Sequence, residues 1–268
     1  MRNVRLDQYL EYLSVKGYSR SSIRGLMAQA VSFQSAAEKG RDYLSRLKRR
    51  KELSEISPNT FNQYQYCLST YFDYLSETGH RVPQARLLRE KEIETRADIL
   101  SVDQIRRLFK SADLKPELAA RDRAALGCLY HLGLRAGEAT RLKPSDIDFR
   151  EKLVFISRSK TGYQRRVPMS PGVEQIFLGY LQIRSKPSLG NCFLQGLKGN
   201  LSADGLLQIV KRMALQAGIK QRVYPHLFRH SIASHLLQRG MSLKQLSRFL
   251  GHKSLESTQR YTHLIEEK

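Results

Sequence analysis

The sequence predicts a mainly α-helical protein with a small antiparallel β-sheet, divided into an N-terminal helical bundle and a C-terminal α+β domain. Apolar residues recur at helical spacing along most of the chain, whereas short strand-like runs occur only between residues 147 and 169. A charged stretch with little apolar content, residues 81–98, separates the two regions and is typical of a basic linker. We therefore predict domains over residues 1–80 and 99–268.

The N-terminal domain is predicted to contain about four helices. A first helical run stops at Gly17, a second covers residues 22–39, and a short basic helix follows over residues 43–51. Pro58, directly after a serine that can cap a helix, starts a long tyrosine-rich helix that closes at Gly79. Many tyrosines of this helix are expected in the core with their hydroxyls reaching the surface, and a DNA contact by one or two of them is the alternative.

The C-terminal domain opens with a capping box, in which Ser101 and Gln104 each accept a hydrogen bond from the other's backbone N–H. Its strand-like runs are followed by helices, and the last two runs flank the turn Ser159-Lys160-Thr161-Gly162. The first predicted helix begins at residue 101, a second covers residues 116–132, and a short third helix ends near residue 142. Strands are predicted at 147–149, 153–157 and 166–169. Further helices are predicted over 171–184, over 203–217 and from 226 to near the end.

The charge balance indicates a nucleic-acid partner. The chain carries 46 Lys and Arg residues against 25 Asp and Glu residues, which gives a net charge of +21. Hydrophobic and charged fractions of 41% and 26% are those of a globular protein and exclude a disordered chain. A surplus of this size favours DNA or RNA binding with strongly salt-dependent affinity over a protein that is merely basic.

Several other classes of protein are disfavoured. Cys67, Cys128 and Cys192 occur singly, so neither a zinc module nor a redox pair is predicted, and reduced thiols are expected. No acidic cluster of the kind used in two-metal sites is present, and we expect neither a metal nor another cofactor. Without a signal-peptide pattern or an apolar run long enough for a membrane span, we expect a soluble, cytoplasmic protein.

Two pairs of residues suit the recognition of a phosphodiester. His226 and Arg229 are three apart in a predicted helix and therefore lie on one face, where both could reach a single anion. Arg135 lies in a glycine-flanked turn, and Glu138, three residues later, could orient its guanidinium. Two guanidinium groups can hold both non-bridging oxygens of a phosphate and favour its more highly charged transition state, which is the role of magnesium in most phosphoryl transfers.

Three further residues could supply the remaining chemistry. Lys160, at the tip of the predicted hairpin, could reach into a DNA groove and act as an acid, although most loop lysines are merely solvated. His252 could donate a hydrogen bond to the scissile phosphate, or it could satisfy the last carbonyls of a helix that ends at Gly251. Tyr261 could attack phosphorus, although it is one of 13 tyrosines. Each residue alone is a weak signal, whereas the ordered set is specific.

The ordered motifs resemble those of the tyrosine recombinase (integrase) family, and most closely those of its two-domain Xer-type members and related mobile-element integrases. The motifs are GLRAGE at 133–138, SKTG at 159–162, HLFRH at 226–230, LGH at 250–252 and TQRYTH at 258–263. The resemblance covers nearly the whole chain. It implies a SAM-like helical core-binding domain followed by a tyrosine-recombinase catalytic domain.

The resemblance also implies a site and a reaction. By position, the implied site consists of the nucleophile Tyr261, the phosphate-gripping Arg135 and Arg229, the general-acid Lys160, the imidazoles His226 and His252, and Glu138 in support of Arg135. The tyrosine would form a 3′-phosphotyrosine and free a 5′ hydroxyl, and a hydroxyl from a partner strand would displace it by way of a Holliday junction, without metal or ATP. The implied partner is double-stranded DNA with paired half-sites, bound by a homotetramer or by a heterotetramer with a related recombinase.

Some stretches depart from the family pattern. Ala-Gly-Glu-Ala follows Arg135 where Ile-Ser-Glu-Leu is commoner in the family. Leu227-Phe228 stands where the family usually has an Asp before a Leu-Arg pair. The functional residues nevertheless keep their spacing. Only seven residues follow Tyr261, too few for a long C-terminal helix exchanged between protomers, so either the exchange is reduced or the chain is truncated. The bundle begins within the first ten residues, which argues against a phage integrase with an additional arm-binding domain.

Other functions stay open at this point. Residues 241–252 and 254–261 have the pattern of a helix-turn-helix, so a non-enzymatic DNA-binding regulator is one alternative. A type IB topoisomerase that relaxes DNA without strand exchange is a second, and a catalytically inactive accessory relative is a third. The sequence decides neither the DNA site nor the choice between chromosome-dimer resolution and integration or excision of a mobile element.

Overall fold

The computed structural model of the protein describes residues 6–38, 42–80, 82, 99–112, 116–157, 164–184, 190–196 and 199–251. Lys160, His252 and Tyr261 of the predicted site lie outside the described residues, as does the predicted linker apart from Val82. The chain separates into two compact units, Met1–Arg96 and Ala97–Lys268.

Within its described residues the N-terminal unit contains four helices, as the sequence predicts. They are α1 (Leu6–Val15), α2 (Arg20–Glu38), α3 (Tyr43–Glu52) and α4 (Pro58–Glu77). The side chain of Ser57 accepts a hydrogen bond from the backbone N–H of Thr60 and caps α4, as predicted. Helix α2 begins earlier than predicted, at Arg20, because the hydroxyl of Ser19 accepts from the backbone N–H of Ser22 at 3.2 Å and provides a cap.

Tyrosine rings fill much of the core of this unit. Tyr71 and Tyr74 of α4 are buried and pack on Tyr9 of α1, with ring centroids 4.9 and 5.0 Å away. The hydroxyl of Tyr71 accepts a hydrogen bond from Gln34 Nε2 at 2.7 Å. The prediction of core tyrosines is therefore confirmed for these positions, whereas Tyr66 of the same helix is 47% exposed.

The C-terminal unit combines helices with two small antiparallel sheets. Its helices are α5 (Val102–Ser111), α6 (Pro116–Leu126), α7 (Ala136–Ala139), α8 (Pro171–Ile183), α9 (Ala203–Gln216), α10 (Pro225–Gln238) and α11 (Leu243–Leu250). Its strands are β1 (Ile147–Asp148), β2 (Leu153–Ile156), β3 (Arg165–Pro168), β4 (Gln195–Gly196) and β5 (Gly199–Asn200). The mainly α fold with a small antiparallel sheet is confirmed. The β4–β5 pair was not predicted, because strands of two residues are too short to show a periodic pattern.

Strands β1, β2 and β3 form one sheet in that order. The β2–β3 pairing runs from Leu153 opposite Pro168 to Ile156 opposite Arg165. The prediction that the last strand begins at Arg166 was wrong by one residue. Arg165 belongs to the strand, and its side chain is buried on the same face as Val167, whereas Arg166 is exposed.

The long helix predicted over residues 116–132 changes geometry near its end. Helix α6 continues into a π-helical turn, Gly127–His131, after which Leu132 N donates to the carbonyl of Gly127 at 3.1 Å. Within this turn, Tyr130 Oη lies 2.8 Å from Nδ1 of His235 on α10. The turn thus joins α6 to the helix that carries His226 and Arg229.

The core of the C-terminal unit is apolar and closely packed. Leu129, Phe177, Phe193, Leu206 and Phe228 have no exposed surface. They come from the π-helical turn, α8, the β4 region, α9 and α10, so the elements around the predicted site rest on one shared core. No helix in the described part of the chain is long and apolar enough to cross a membrane.

Candidate active site

Arg135, Glu138 and Arg229, three of the predicted site residues, lie against one another in the C-terminal unit. Arg135 Nη1 is 2.9 Å from Glu138 Oε1, and Arg229 Nη1 is 4.0 Å from Glu138 Oε2. His226 lies one helical turn before Arg229 in α10. Lys160, His252 and Tyr261 lie outside the described residues, so their places in the site stay predictions.

A tight turn at Gly133 brings Arg135 to this cluster. Gly133 has a φ of +57°, in the left-handed region that favours glycine. A Cβ atom at this position would lie 3.0 Å from a ring carbon of Phe249 and 3.2 Å from a methyl carbon of Leu250, so the turn packs directly on α11. The next element, α7, begins after Arg135, whose backbone N–H donates to a Glu138 carboxylate oxygen at 3.0 Å. The spacing of Arg135 and Glu138 is therefore that of a helix start and its cap.

Glu138 is the centre of the cluster, and it is only 4% exposed. Its Oε1 accepts from Arg135 Nη1 at 2.9 Å and from Arg165 Nη1 at 3.2 Å. Its Oε2 accepts from Arg165 Nη2 at 2.8 Å and from the Arg135 backbone N–H at 3.0 Å. Each oxygen thus accepts from two donors, as a buried carboxylate requires.

Arg229 is almost completely buried, with 1% of its surface exposed. Its Nη1 donates to the carbonyl of Gly133 at 2.6 Å, and its Nη2 donates to the carbonyl of Leu250. These bonds join α10 to the Gly133 turn and to the end of α11. The plane of the guanidinium is therefore set by backbone atoms before any DNA is bound.

The cluster carries a surplus of positive charge. Arg135, Arg165 and Arg229 surround the single carboxylate of Glu138, which leaves two formal positive charges from three guanidinium groups and one carboxylate. Burial alone would raise the pKa of Glu138, but hydrogen bonds and charge from Arg165, followed by those from Arg135, hold that pKa at about 2. The carboxylate is therefore ionised at neutral pH, and the remaining charge favours an anion at the cluster.

His226 is exposed at the start of α10. Pro225 takes the first position of the helix, where its missing N–H costs nothing, and His226 follows it. The ring of His226 packs edge-to-face on the ring of His230, with centroids 4.6 Å apart. His226 is thus the solvent-facing partner of the predicted His–Arg pair, and Arg229 is the buried one.

Arg165 is a member of the cluster that sequence reasoning missed. It lies at the start of β3 and is 8% exposed. In the sequence, Arg165 is two residues before Val167 and four before Met169, which is the spacing of one face of a strand. That alternation was the available signal, since an inward-facing arginine needs a buried partner.

The cluster offers positive charge and hydrogen-bond donors to a bound group. Within the described ranges, no set of three or more His, Cys, Asp and Glu side chains is placed to hold a metal ion. Guanidinium groups that converge near an exposed imidazole suit a phosphodiester, because its negative charge grows in the transition state.

Comparisons with known proteins agree on one family. A family model described as the phage integrase family matches residues 98–268. The tyrosine recombinase XerD of Listeria innocua is 30% identical over an alignment of 287 positions, gaps included, which covers 98% of this chain and 95% of that protein. The tyrosine recombinase XerC of Chlamydia trachomatis serovar L2 is 36% identical over 169 residues, which cover 62% of this chain and 53% of that protein.

Solved structures share the fold. XerH bound to a palindromic difH substrate has a TM-score of 0.75 at 18% identity, and the match covers 98% of this chain and 81% of that one. A lambda integrase dimer (residues 75–356) bound to a COC′ core site has a TM-score of 0.73 at 19% identity, over 94% and 95% of the two chains. The Tn1549 transposon integrase in complex with transposon right-end DNA has a TM-score of 0.73 at 17% identity, over 96% and 93%.

Proposed function

Since this chain belongs to the phage integrase family and is a tyrosine recombinase, an enzyme of site-specific DNA recombination, we propose that the cluster around Glu138 binds the scissile phosphate. The observation that supports this assignment is the convergence of Arg135 and Arg229 on one buried carboxylate. The two arginines are far apart in the sequence, and each lies in a motif of its own.

In the proposed reaction, Tyr261 attacks the phosphorus, the bond from phosphorus to the 5′ oxygen breaks, and a 3′-phosphotyrosine forms. Lys160 donates a proton to the departing 5′ oxygen, and the proton of the tyrosine hydroxyl passes to His226 or His252. A 5′ hydroxyl from a partner strand then attacks the phosphotyrosine, restores the phosphodiester and releases Tyr261, by way of a Holliday junction. Because the covalent link keeps the energy of the phosphodiester bond, neither ATP nor a metal is required.

The arginines have the task of stabilising the pentacoordinate phosphorus. Arg135, whose side chain is 27% exposed, has surface with which to meet a non-bridging oxygen. Arg229 is held by the carbonyls of Gly133 and Leu250, so its guanidinium needs little reorganisation when charge develops. Glu138 keeps the two positive groups close together despite their mutual repulsion.

DNA is the partner of this enzyme, and the net charge of +21 suits it. Solved structures with this fold hold DNA, among them a lambda integrase dimer on a core site and XerH on difH. We propose that two protomers occupy paired half-sites and that two such dimers form the recombining tetramer, with a related recombinase as the alternative partner. We further propose residues 1–80 as a core-binding domain, 81–98 as a linker and 99–268 as the catalytic domain.

Two biological settings fit this function. Similarity to XerC and XerD favours chromosome-dimer resolution, whereas the fold shared with the Tn1549 integrase fits movement of an element. In either setting we propose that the enzyme acts in the cytoplasm, as expected from the sequence. Paired half-sites next to the gene, and whether they also flank a mobile element, would distinguish the two.

A covalent-capture experiment tests the proposal. Fragments from beside the gene, each with a nick near the candidate cleavage position, trap the phosphotyrosine because the released short strand diffuses away. We expect a protein–DNA band on denaturing gels with the unaltered chain. Tyr261→Phe should bind the same DNA and form no such band, since only the nucleophilic hydroxyl is removed.

Other outcomes would point to other functions. DNA binding without an adduct on any nicked substrate would indicate a DNA-binding regulator and overturn the proposed chemistry. Relaxation of supercoiled plasmids without site preference or strand exchange would indicate a topoisomerase instead.

A further inference from the structure

Arg165 is buried beside the proposed catalytic residues, yet none of the recombinase motifs includes it. Its side chain shares the inner face of the sheet with Val167 and is 6% exposed. Burying a guanidinium is costly unless its N–H groups are hydrogen-bonded and its charge is matched. The contacts of Arg165 show how both conditions are met.

Arg165 holds Glu138 through a two-pronged contact. Its Nη1 and Nη2 donate to Oε1 and Oε2 of Glu138 at 3.2 and 2.8 Å. Its Nε donates to the carbonyl of Phe249 at 3.0 Å. The planar guanidinium can make all three bonds at once, whereas a lysine ammonium cannot reproduce this fork. Arg165 therefore joins β3 both to α7 and to the last turn of α11.

The C-terminal end of α11 is held by two arginines. The last carbonyls of a helix have no partner within it, and here Arg165 binds that of Phe249 while Arg229 binds that of Leu250. Gly251 ends the helix with a φ of +65°, and a Cβ atom there would lie 2.9 Å from Arg165 Cδ. The side chain of Arg165 thus occupies the space that a larger residue at 251 would need.

Glu138 connects Arg165 to Arg135. The same oxygen, Oε1, accepts from Arg135 Nη1 at 2.9 Å and from Arg165 Nη1. Without Arg165, the carboxylate would lose its contact to β3 and could rotate away from the geometry that orients Arg135. Of the two arginines that share Glu138 Oε1, Arg135 has 27% of its side chain exposed and Arg165 has 6%. All three guanidinium nitrogens of Arg165 already donate to Glu138 or to the carbonyl of Phe249.

We propose that Arg165 is a positioning residue for DNA cleavage, which fixes Glu138 and, through it, the guanidinium of Arg135, without touching the phosphate itself. This inference rests on the proposed function of the cluster. It assigns to a strand residue outside the motifs the task of keeping the phosphate-binding arginine in place.

Four variants test the inference. Arg165→Ala removes the fork, Arg165→Lys keeps the charge without the fork, Arg135→Ala is the reference, and Arg166→Ala is the matched control on the exposed face of β3. Cleavage is measured in a single turnover with saturating protein on the nicked substrate. We expect Arg165→Ala to be about 10- to 100-fold slower, because an indirect loss costs less than removal of a charge-stabilising donor. Arg165→Lys should cleave at a rate between those of Arg165→Ala and the unaltered chain, and Arg166→Ala should cleave as fast as the unaltered chain.

A substrate with a methylphosphonate at the scissile position separates positioning from general damage. A methyl group replaces one non-bridging oxygen, so the transition state carries less negative charge and depends less on Arg135. We expect the losses caused by Arg135→Ala and Arg165→Ala to shrink together by about tenfold on this substrate. Equal losses on both substrates would make Arg165 a structural residue only, and an unaltered rate would leave it without a role. Either result overturns the inference.

Folding and binding are checked alongside. Thermal unfolding identifies the folded variants, and gel shifts in low salt should show dissociation constants within about threefold of one another. If Arg165→Ala does not fold, Arg165→Lys decides by the same comparison of substrates. Absence of any adduct with the unaltered chain would overturn the proposed function and this inference with it, whereas cleavage insensitive to Arg165 overturns the inference alone.

Discussion

Two buried carboxylates of the C-terminal unit are each paired with arginines, but they join different kinds of element. Asp122 lies on α6 and binds Arg121 of the same helix and Arg212 of α9, so it links two core helices. Glu138 binds arginines from a turn and from a strand and lies 4.0 Å from a third on α10. The first arrangement holds a scaffold together, and the second assembles the segments that carry the motifs.

A buried carboxylate–arginine pair therefore does not by itself mark an active site. Two arginines around Asp122 leave one formal positive charge, whereas three around Glu138 leave two. The larger surplus, on segments that are not neighbours in the sequence, is what suits an anionic substrate.

The largest effect is expected for Arg229→Ala. Loss of the preorganised donor that we propose for the scissile phosphate should slow cleavage about 1,000-fold, while DNA binding in low salt is retained. Arg212→Ala, the matched change at Asp122, should lower stability but leave the cleavage rate of the folded protein unchanged. Single-turnover cleavage and gel shifts measure both. A fall in affinity by the same factor as the rate would make Arg229 a DNA-positioning contact instead.

Replacement of each carboxylate by its amide is expected to separate an effect on cleavage from an effect on stability. Glu138→Gln should slow cleavage about 10- to 100-fold because Arg135 loses its orienting charge. Asp122→Asn should lower the free energy of unfolding by about 3–5 kcal/mol, as expected when a buried ion pair loses one partner. At a low temperature, where this variant stays folded, its cleavage rate should equal that of the unaltered chain. Urea unfolding and cleavage are measured on the same preparations. Equal decreases in the cleavage rate of the two variants would show that the ion pairs of Glu138, like those of Asp122, only stabilise the fold.

Stability in acid should depend on Glu138. Its pKa falls from 4.5 in the unfolded chain to about 2 in the folded one. Its contribution is therefore complete above about pH 4.5 and is lost as the pH falls towards 2. Between pH 5 and pH 3, the unaltered chain should lose about 2 kcal/mol more of its unfolding free energy than Glu138→Gln does. Urea titrations at several pH values measure the unfolding free energy of both chains. The same pH dependence in the unaltered chain and in Glu138→Gln would contradict the prediction.

The smallest effect concerns two glycines with nearly the same backbone. Gly251 and Gly218 have φ values of +65° and +63°, but a Cβ atom meets Arg165 at the first and nothing within 4 Å at the second. Gly218→Ala should therefore cost about 1 kcal/mol for the left-handed conformation alone. Gly251→Ala should cost about 1–2 kcal/mol more and slow cleavage severalfold, because Arg165 must shift. Equal losses of stability in Gly218→Ala and Gly251→Ala, measured by thermal unfolding, would show that the side chain of Arg165 moves aside at no cost.

Local signals predicted most of the fold. The caps at Ser57 and at Ser101 with Gln104 are where the sequence places them, because a cap is a contact between residues three apart. The sequence predicts ordinary helix where the π-helical turn Gly127–His131 lies, since the two conformations share the same apolar residues and differ only in hydrogen bonding. Lys160, His252 and Tyr261 stay predictions from the motifs.

Spacing along the chain was enough to propose Arg135 with Glu138, because residues three apart at a helix start must be neighbours. It could not pair Glu138 with Arg165, 27 residues away, or Asp122 with Arg212, 90 residues away. Those pairs form because packing of the core brings the charges together and removes the water that would otherwise solvate them. Local patterns in the chain therefore define the elements and the candidate chemistry, whereas packing of the core determines which charges share a site.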